Sequence, residues 1–161
     1  MDIRFGILTA SDRAARGERQ DASGPALADL VYAQGWSVFE RAILPDDRSA
    51  LAARMSEWAD SRSLDVILVT GGTGFAARDV TPEATHDVIE REATGLPEAM
   101  RAASLKITPH AMLSRLAAGI RGQTLIVDLP GSPKGALENL QVILPVLEHA
   151  VKLLREEDAG H

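Results

Sequence analysis

An apolar run, Val66-Ile67-Leu68-Val69, leads through Thr70 straight into Gly71-Gly72-Thr73-Gly74, and this junction constrains the chain more than any other. The run reads as a buried strand, and the glycines at its end allow a turn with no Cβ to keep a ligand away from the backbone. Arg78 and Asp79 follow, then Thr81-Pro82-Glu83, which has the pattern of a helix start. Threonine would be the N-cap, proline the first helical residue, and glutamate an acid in the first turn. One short stretch thus supplies close-approaching amides, a cation, a candidate metal carboxylate and a helix N-terminus, the parts from which phosphate sites are made.

The stretch also excludes better-known nucleotide motifs. No Gly-Lys-Ser/Thr follows the glycines, so it is not a Walker A loop, and the spacing fails Gly-x-Gly-x-x-Gly. Gly-Gly-Thr-Gly alone would match many ordinary turns. The attached Arg78-Asp79-Val80-Thr81-Pro82-Glu83 favours a phosphate site over a bare turn.

Length and composition bound the class. The 161 residues correspond to one domain over 1–161, with 155–161 expected as a flexible tail. At 45% hydrophobic and 25% charged residues, the chain is of ordinary globular composition. Aromatic residues are only 4%, so stacking platforms for bases are few. The absence of cysteine removes disulfides, thiolate zinc sites and cysteine nucleophiles together. Met1-Asp2-Ile3-Arg4 opens into a strand-like run without the layout of a signal peptide, and no apolar stretch is long enough to span a bilayer. A cytoplasmic protein without a membrane partner is expected. The net charge of −6 argues against nucleic acid as a partner. A small phosphorylated ligand remains compatible where Arg13, Arg16, Arg19, Arg78 and Lys134 gather and a divalent metal offsets repulsion.

Strand and helix patterns alternate along the chain. Strands are expected over Ile3–Ala10, Trp36–Leu44, Asp65–Thr70 and Gln123–Leu129. Between the first two lie a charged, mobile loop, Ala14 to Ala22, and a helix opened by Ser23-Gly24-Pro25 and ended by Gly35. Leu51, Met55 and Trp58 mark a second helix. A third runs from Pro82 to about Glu92, and two short ones follow near Glu98–Lys106 and Pro109–Ala117, carrying Met100, Leu105, Met112 and Leu116. The last places Leu137, Leu140, Leu144, Leu147, Val151 and Leu154 on one stripe, with Pro145 as a kink or break. Such alternation implies a three-layer α/β/α sandwich around a mostly parallel sheet. Ligands of open parallel sheets bind beyond the carboxyl ends of the strands. The loops there are Ser11-Asp12-Arg13, Pro45-Asp46-Asp47, Gly71 to Asp79 and Pro130-Gly131-Ser132-Pro133-Lys134.

Asp79 is the leading candidate for a magnesium ligand, because magnesium takes one or two carboxylates plus substrate phosphates. The competing role is a salt bridge to Arg78 or support of the Pro82 helix. Pro45-Asp46-Asp47 leaves open which aspartate is functional and which caps the next helix. Ser132 reads as a cap and Pro133 as a helix start, with Lys134 adding a point charge. Ser23 reads as an N-cap, because no histidine is spaced to act as its base. His86, His110, His149 and His161 form no metal-ligand pair.

With these residues in place, nearly the whole chain resembles the molybdopterin adenylyltransferase family, which includes the bacterial enzyme and the G domains of fusion proteins such as gephyrin. The resemblance rests on Thr9-x-Ser11-Asp12, Asp21-x-Ser23-Gly24-Pro25, Pro45-Asp46, Gly71-Gly72-Thr73-Gly74-x-x-x-Arg78-Asp79-Val80-Thr81-Pro82-Glu83-Ala84 and Leu129-Pro130-Gly131-x-Pro133. It implies a molybdopterin-binding fold and transfer of AMP from ATP to the terminal phosphate of molybdopterin, with release of pyrophosphate. It further implies Asp79 and Asp46 as catalytic and Mg2+-binding residues. Ser11, Asp12, Asp21, Ser23, Gly24, Gly71, Gly72, Thr73, Gly74, Arg78, Thr81, Pro130, Gly131, Ser132 and Lys134 would bind substrate. A homotrimer and hand-over to a molybdenum-insertion protein are also implied. A related branch of uncertain activity tends to lose Arg-Asp-x-Thr-Pro, which this chain keeps. The alternatives are a non-catalytic pterin-binding or scaffolding paralogue and a flavodoxin-like domain for another nucleotide.

Overall fold

The structure, a computed structural model, describes residues 1–157. Its centre is a six-stranded sheet in the order β2-β1-β3-β6-β5-β4. β1 (Arg4–Ala10) lies parallel to β2 (Ser37–Leu44) and β3 (Val66–Thr70), and β3 is parallel to β6 (Thr124–Leu129). β5 (Ala118–Arg121) and β4 (Arg91–Glu92) complete it in antiparallel pairing.

Alternation along the strands divides the core between the faces. Phe5, Ile7, Val66, Leu68, Leu125 and Val127 join α2 (Ser23–Ala33), α5 (Gly95–Leu105) and α6 (Pro133–Leu154) in one cluster. Leu8, Ala10, Ile67, Val69 and Ile126 face α3 (Arg48–Asp60) and α4 (Thr81–Val88) in the other. The three layers expected from alternation are present, and α1 (Asp12–Ala15) is a single turn after β1. Gly6 is required on the second face: a Cβ there would stand 2.7 Å from Leu64 and 2.9 Å from Trp58. No helix among the described residues is long and apolar enough to cross a membrane.

Several boundaries differ from expectation. The helix predicted to reach Glu92 ends at Val88, and β4 follows, too short to show any period. Gly95-Leu96-Pro97 opens α5 instead of marking a break, since proline is tolerated in a first turn. The predicted helix over Pro109–Ala117 is only a 3₁₀ turn, Pro109–Leu113. β5 is a strand that the sequence pattern does not announce; Gly122, at φ +58, turns it tightly into β6. Pro145 neither breaks nor ends α6, which stays helical over 22 residues. Its solvent side carries the proline, while Leu140, Ile143, Leu147 and Val151 are buried on either side of it. Met100 and Leu116 are core residues, but Met112 and Leu105 are exposed.

Of the expected flexible tail, residues 158–161 lie outside the described residues, whereas Arg155 is bound. Its guanidinium donates to Asp65 Oδ2 at 2.6 Å and Oδ1 at 2.9 Å, and Arg4 Nε adds a bond of 3.0 Å. Burial pushes the Asp65 carboxyl up, but the two arginines outweigh it and hold the group at about 2.

Candidate active site

The parallel strands end level: Ala10 pairs with Leu44, and Thr70 with both Thr9 and Leu129. Their four following loops therefore meet at one edge, as expected for an open parallel sheet. Cross-links fix them there. Ser11 N–H donates to Leu44 O at 2.9 Å, Thr70 Oγ1 to Pro130 O at 2.7 Å, and Gly71 N–H to Leu129 O at 3.2 Å. Gly71 (φ +101) and Gly72 (φ +67) need the left-handed region, and a Cβ on Gly71 would collide with the Ala10 carbonyl.

Between the loops lies a cleft of about 300 Å³. From the predicted set, Ser11, Asp21, Ser23, Asp46, Gly71, Gly72, Asp79, Gly131 and Ser132 line it, joined by Thr9, Arg19 and Gln20. Asp12, Gly24, Arg78 and Thr81 lie outside that lining. Asp12 accepts a two-pronged ion pair from Arg78 at 2.9 and 3.0 Å, which holds its carboxyl below the usual range. Asp46 accepts from Asp12 N–H at 3.1 Å through Oδ2, while its Oδ1 is buried without a partner among the described residues. Burial pushes the Asp46 carboxyl up, and the Asp12 and Asp79 charges act in the same direction.

Several helix starts differ from the sequence reading. Thr81 does not cap α4: it is the first helical residue, the N-cap is Val80, and the Thr81 Oγ1 is buried without a partner among the described residues. That hydroxyl and Asp46 Oδ1 flank Gly72, where a Cβ would meet both. Ser23 does not cap α2 either. Asp21 accepts from Gly24 N–H at 3.1 Å and from Thr9 Oγ1 at 2.9 Å, which frees Ser23 Oγ to donate to Gly131 O at 2.7 Å. Asp47, not Asp46, caps α3, accepting from Ala50 N–H at 2.9 Å. Ser132 caps α6 as expected, accepting from Gly135 N–H at 3.1 Å.

Thr73, Gly74 and Pro130 do not line the cleft. With Ser132 they line an adjoining pocket of about 440 Å³, walled by Phe75, Ile107, Ala111 and Leu113. Phe75 and Ile107 are 68% and 60% exposed, so the pocket opens to solvent. Lys134 lines neither space, and its ammonium lies 3.9 Å from Glu138. The apolar pocket was missed because its walls come from the 3₁₀ segment and the tip of the glycine loop, where no period signals a shared face.

Chemically, the cleft offers three carboxylates, of which Asp21 is engaged by Thr9 and the Gly24 amide, together with glycine amides, serine hydroxyls and the starts of α2 and α6. Among the described residues, no histidine or lysine lines it to act as base for a serine. Among the described residues, no group of three or more His, Asp or Glu side chains is placed to hold a metal by itself. The set fits a cation that brings most of its own ligands. Magnesium, with one or two carboxylates plus phosphates and water, is such an ion, and the unpartnered Asp46 Oδ1 is a free donor for it.

Residues 6–149 match the family described as a probable molybdopterin binding domain. The chain is 40% identical over 154 residues to the molybdopterin adenylyltransferase of Helicobacter pylori (strain J99), covering 94% of this chain and 88% of that protein. It is 41% identical over 162 residues to the gephyrin of Dictyostelium discoideum, covering 94% of this chain but spanning only 22% of the relative's length. A molybdopterin biosynthesis enzyme of Thermus thermophilus superposes with a TM-score of 0.90 at 48% identity, covering 96% of this chain and 98% of the other.

Proposed function

The chain belongs to the family of molybdopterin-binding domains, and on that premise we propose that it is a molybdopterin adenylyltransferase. One observation carries the reading. Among the described residues, Asp46 Oδ1 and Thr81 Oγ1 are buried without partners on either side of Gly72, which lines the cleft together with Asp46 and Asp79. Buried polar atoms are rarely left unpaired, so an unpaired carboxylate oxygen beside a glycine turn points to a ligand that completes it.

In this reaction an oxygen of the terminal phosphate of molybdopterin attacks the α-phosphorus of ATP in line. A new P–O bond forms, the bond from the α-phosphorus to the bridging oxygen breaks, and its electron pair leaves with pyrophosphate. Such a transfer needs positioning and charge stabilisation, not a protein nucleophile. The start of α6 and the Ser132 hydroxyl would hold an anionic group through free N–H groups and a hydroxyl proton. The glycine amides would cradle phosphate oxygens, and Arg19 would add charge at the rim. Asp46 and Asp79 would hold Mg2+, which supplies charge neutralisation at the phosphates. The open apolar pocket beyond Ser132 suits an uncharged ring whose phosphate lies in the cleft. The reading also expects a trimer, a cytoplasmic location and hand-over of the product to a molybdenum-insertion protein, each supported by family resemblance.

The test is pyrophosphate release from purified protein given molybdopterin and Mg-ATP. Release that depends on molybdopterin supports the assignment. Tight molybdopterin binding without release would instead identify a non-catalytic carrier of the same fold.

A further inference from the structure

We infer that Arg115 is a positioning residue for Asp79, a role that rests on the adenylyltransferase reading of the cleft. Arg115 lies between the 3₁₀ turn and β5, 36 positions from Asp79 and outside the cleft lining. Its guanidinium nevertheless spans the glycine loop. Nε donates to Gly74 O at 2.7 Å and one Nη to Asp79 O at 2.8 Å, so one planar group pins both ends of the turn that presents the Asp79 carboxylate. Glu83, in the first turn of α4, holds the guanidinium through bonds of 2.7 and 3.2 Å. The backbone N–H of Arg115 adds a bond to Thr73 O at 2.9 Å.

Besides Arg115, the two-pronged ion pair from Arg78 to Asp12, at 2.9 and 3.0 Å, ties the loop to the rest of the fold. Phe75 to Arg78 are exposed, and the turn itself consists of Asp79 N–H to Ala76 O and Ala76 N–H to Asp79 Oδ2, both 2.9 Å. Thr81 N–H to Gly72 O, 3.0 Å, closes its base. A guanidinium presents five donors in a fixed plane, whereas an ammonium is a point charge. Arg115→Lys keeps the pairing with Glu83 but cannot reach both carbonyls together. The Asp79 carboxylate then loses its fixed position, and displacement of about 1 Å at a reacting centre costs on the order of 100-fold in rate.

The experiment compares native protein, Arg115→Lys, Asp79→Asn and the double variant. Single-turnover adenylyl transfer, molybdopterin affinity, melting temperature and amide hydrogen exchange at Ala76 are measured on each. Arg115→Lys is expected to slow transfer about 10- to 100-fold, leave molybdopterin affinity within about twofold, and accelerate exchange at Ala76. The double variant is expected to be no slower than Asp79→Asn, because Arg115 acts through that carboxylate. Native-like transfer in Arg115→Lys, or losses that multiply in the double variant, overturns the assignment. If the native protein transfers no adenylyl group, the functional reading fails; unchanged Ala76 exchange overturns the positioning role separately. Should Arg115→Lys not fold, Glu83→Gln takes its place. It is then expected to show a several-fold loss with faster Ala76 exchange, and native values for both overturn the role.

Discussion

Asp12 and Asp46 exchange hydrogen bonds across two loops: Asp12 N–H donates to Asp46 Oδ2 at 3.1 Å, and Asp46 N–H to Asp12 Oδ1 at 2.9 Å. The loops after β1 and β2 are thereby locked, with Asp46 Oδ1 left free toward Gly72. Arg78 balances the charge on the Asp12 side. Asp12→Ala removes the acceptor for Asp46 N–H and the partner of Arg78 together. Adenylyl transfer is expected to fall at least about tenfold through misplacement of Asp46, with little change in melting temperature. Unaltered transfer in single-turnover measurements would separate this exchange of bonds from catalysis.

Asp79→Asn tests the metal role directly. The asparagine Oδ1 can still accept from Ala76 N–H, so the turn is retained while the charge is removed. Turnover is expected to fall by roughly two to four orders of magnitude, about 2.7–5.5 kcal/mol of barrier. Molybdopterin binding should persist, since the pterin does not depend on that metal. Near-normal turnover would return Asp79 to the role of a loop-shaping carboxylate.

Ser132 separates capping from binding. Its Oγ accepts from Gly135 N–H, so the hydroxyl proton remains free to meet an anion in the cleft. Ser132→Ala should cost about 1 kcal/mol of stability, as loss of an N-cap does. If the hydroxyl also holds substrate phosphate, molybdopterin affinity falls as well. Calorimetric titration beside thermal melting distinguishes the cases: a lowered melting point with native affinity leaves only the cap.

The architecture was largely legible because it depends on local pattern. Val66–Thr70 is apolar in all but its last residue and buried throughout, and Ser132-Pro133 starts α6 where the cap rule places it. Features decided by contacts distant in sequence were not legible. Thr81 has the pattern of a cap, but its side chain is buried behind Gly72. Ser23 has it too, yet Asp21 takes the amide and Ser23 reaches Gly131, 108 residues away. Arg115 sits in an irregular segment with nothing local to mark it, and only the folded chain brings it to Gly74 and Asp79. Local rules located the loops; the pairings within them required the tertiary structure.

Asp128 predicts a pH dependence of stability independent of the cleft. It lies fully buried on the α3/α4 face of β6, accepting from Thr85 Oγ1–H at 2.6 Å and from Ala117 N–H at 3.1 Å. Burial pushes its carboxyl up to about 8 against the pull of those two bonds, while in the unfolded chain it titrates near 3.8. Between these values the folded state binds a proton that the unfolded state does not, so stability falls as pH rises through that window. The slope is at most about 1.4 kcal/mol per pH unit, and the contribution is gone above the folded value. Asp128→Asn removes the titration and keeps the bonds. Its amide can donate to Thr85 Oγ1, whose proton turns to Met55 Sδ at 3.8 Å, and its Oδ1 can accept from Ala117 N–H. The variant should therefore gain stability over the native chain as pH rises from 5 to 8. Urea midpoints for both proteins at several pH values across that range measure the difference. A constant difference, or one that shrinks with rising pH, would show that Asp128 is charged in the folded protein.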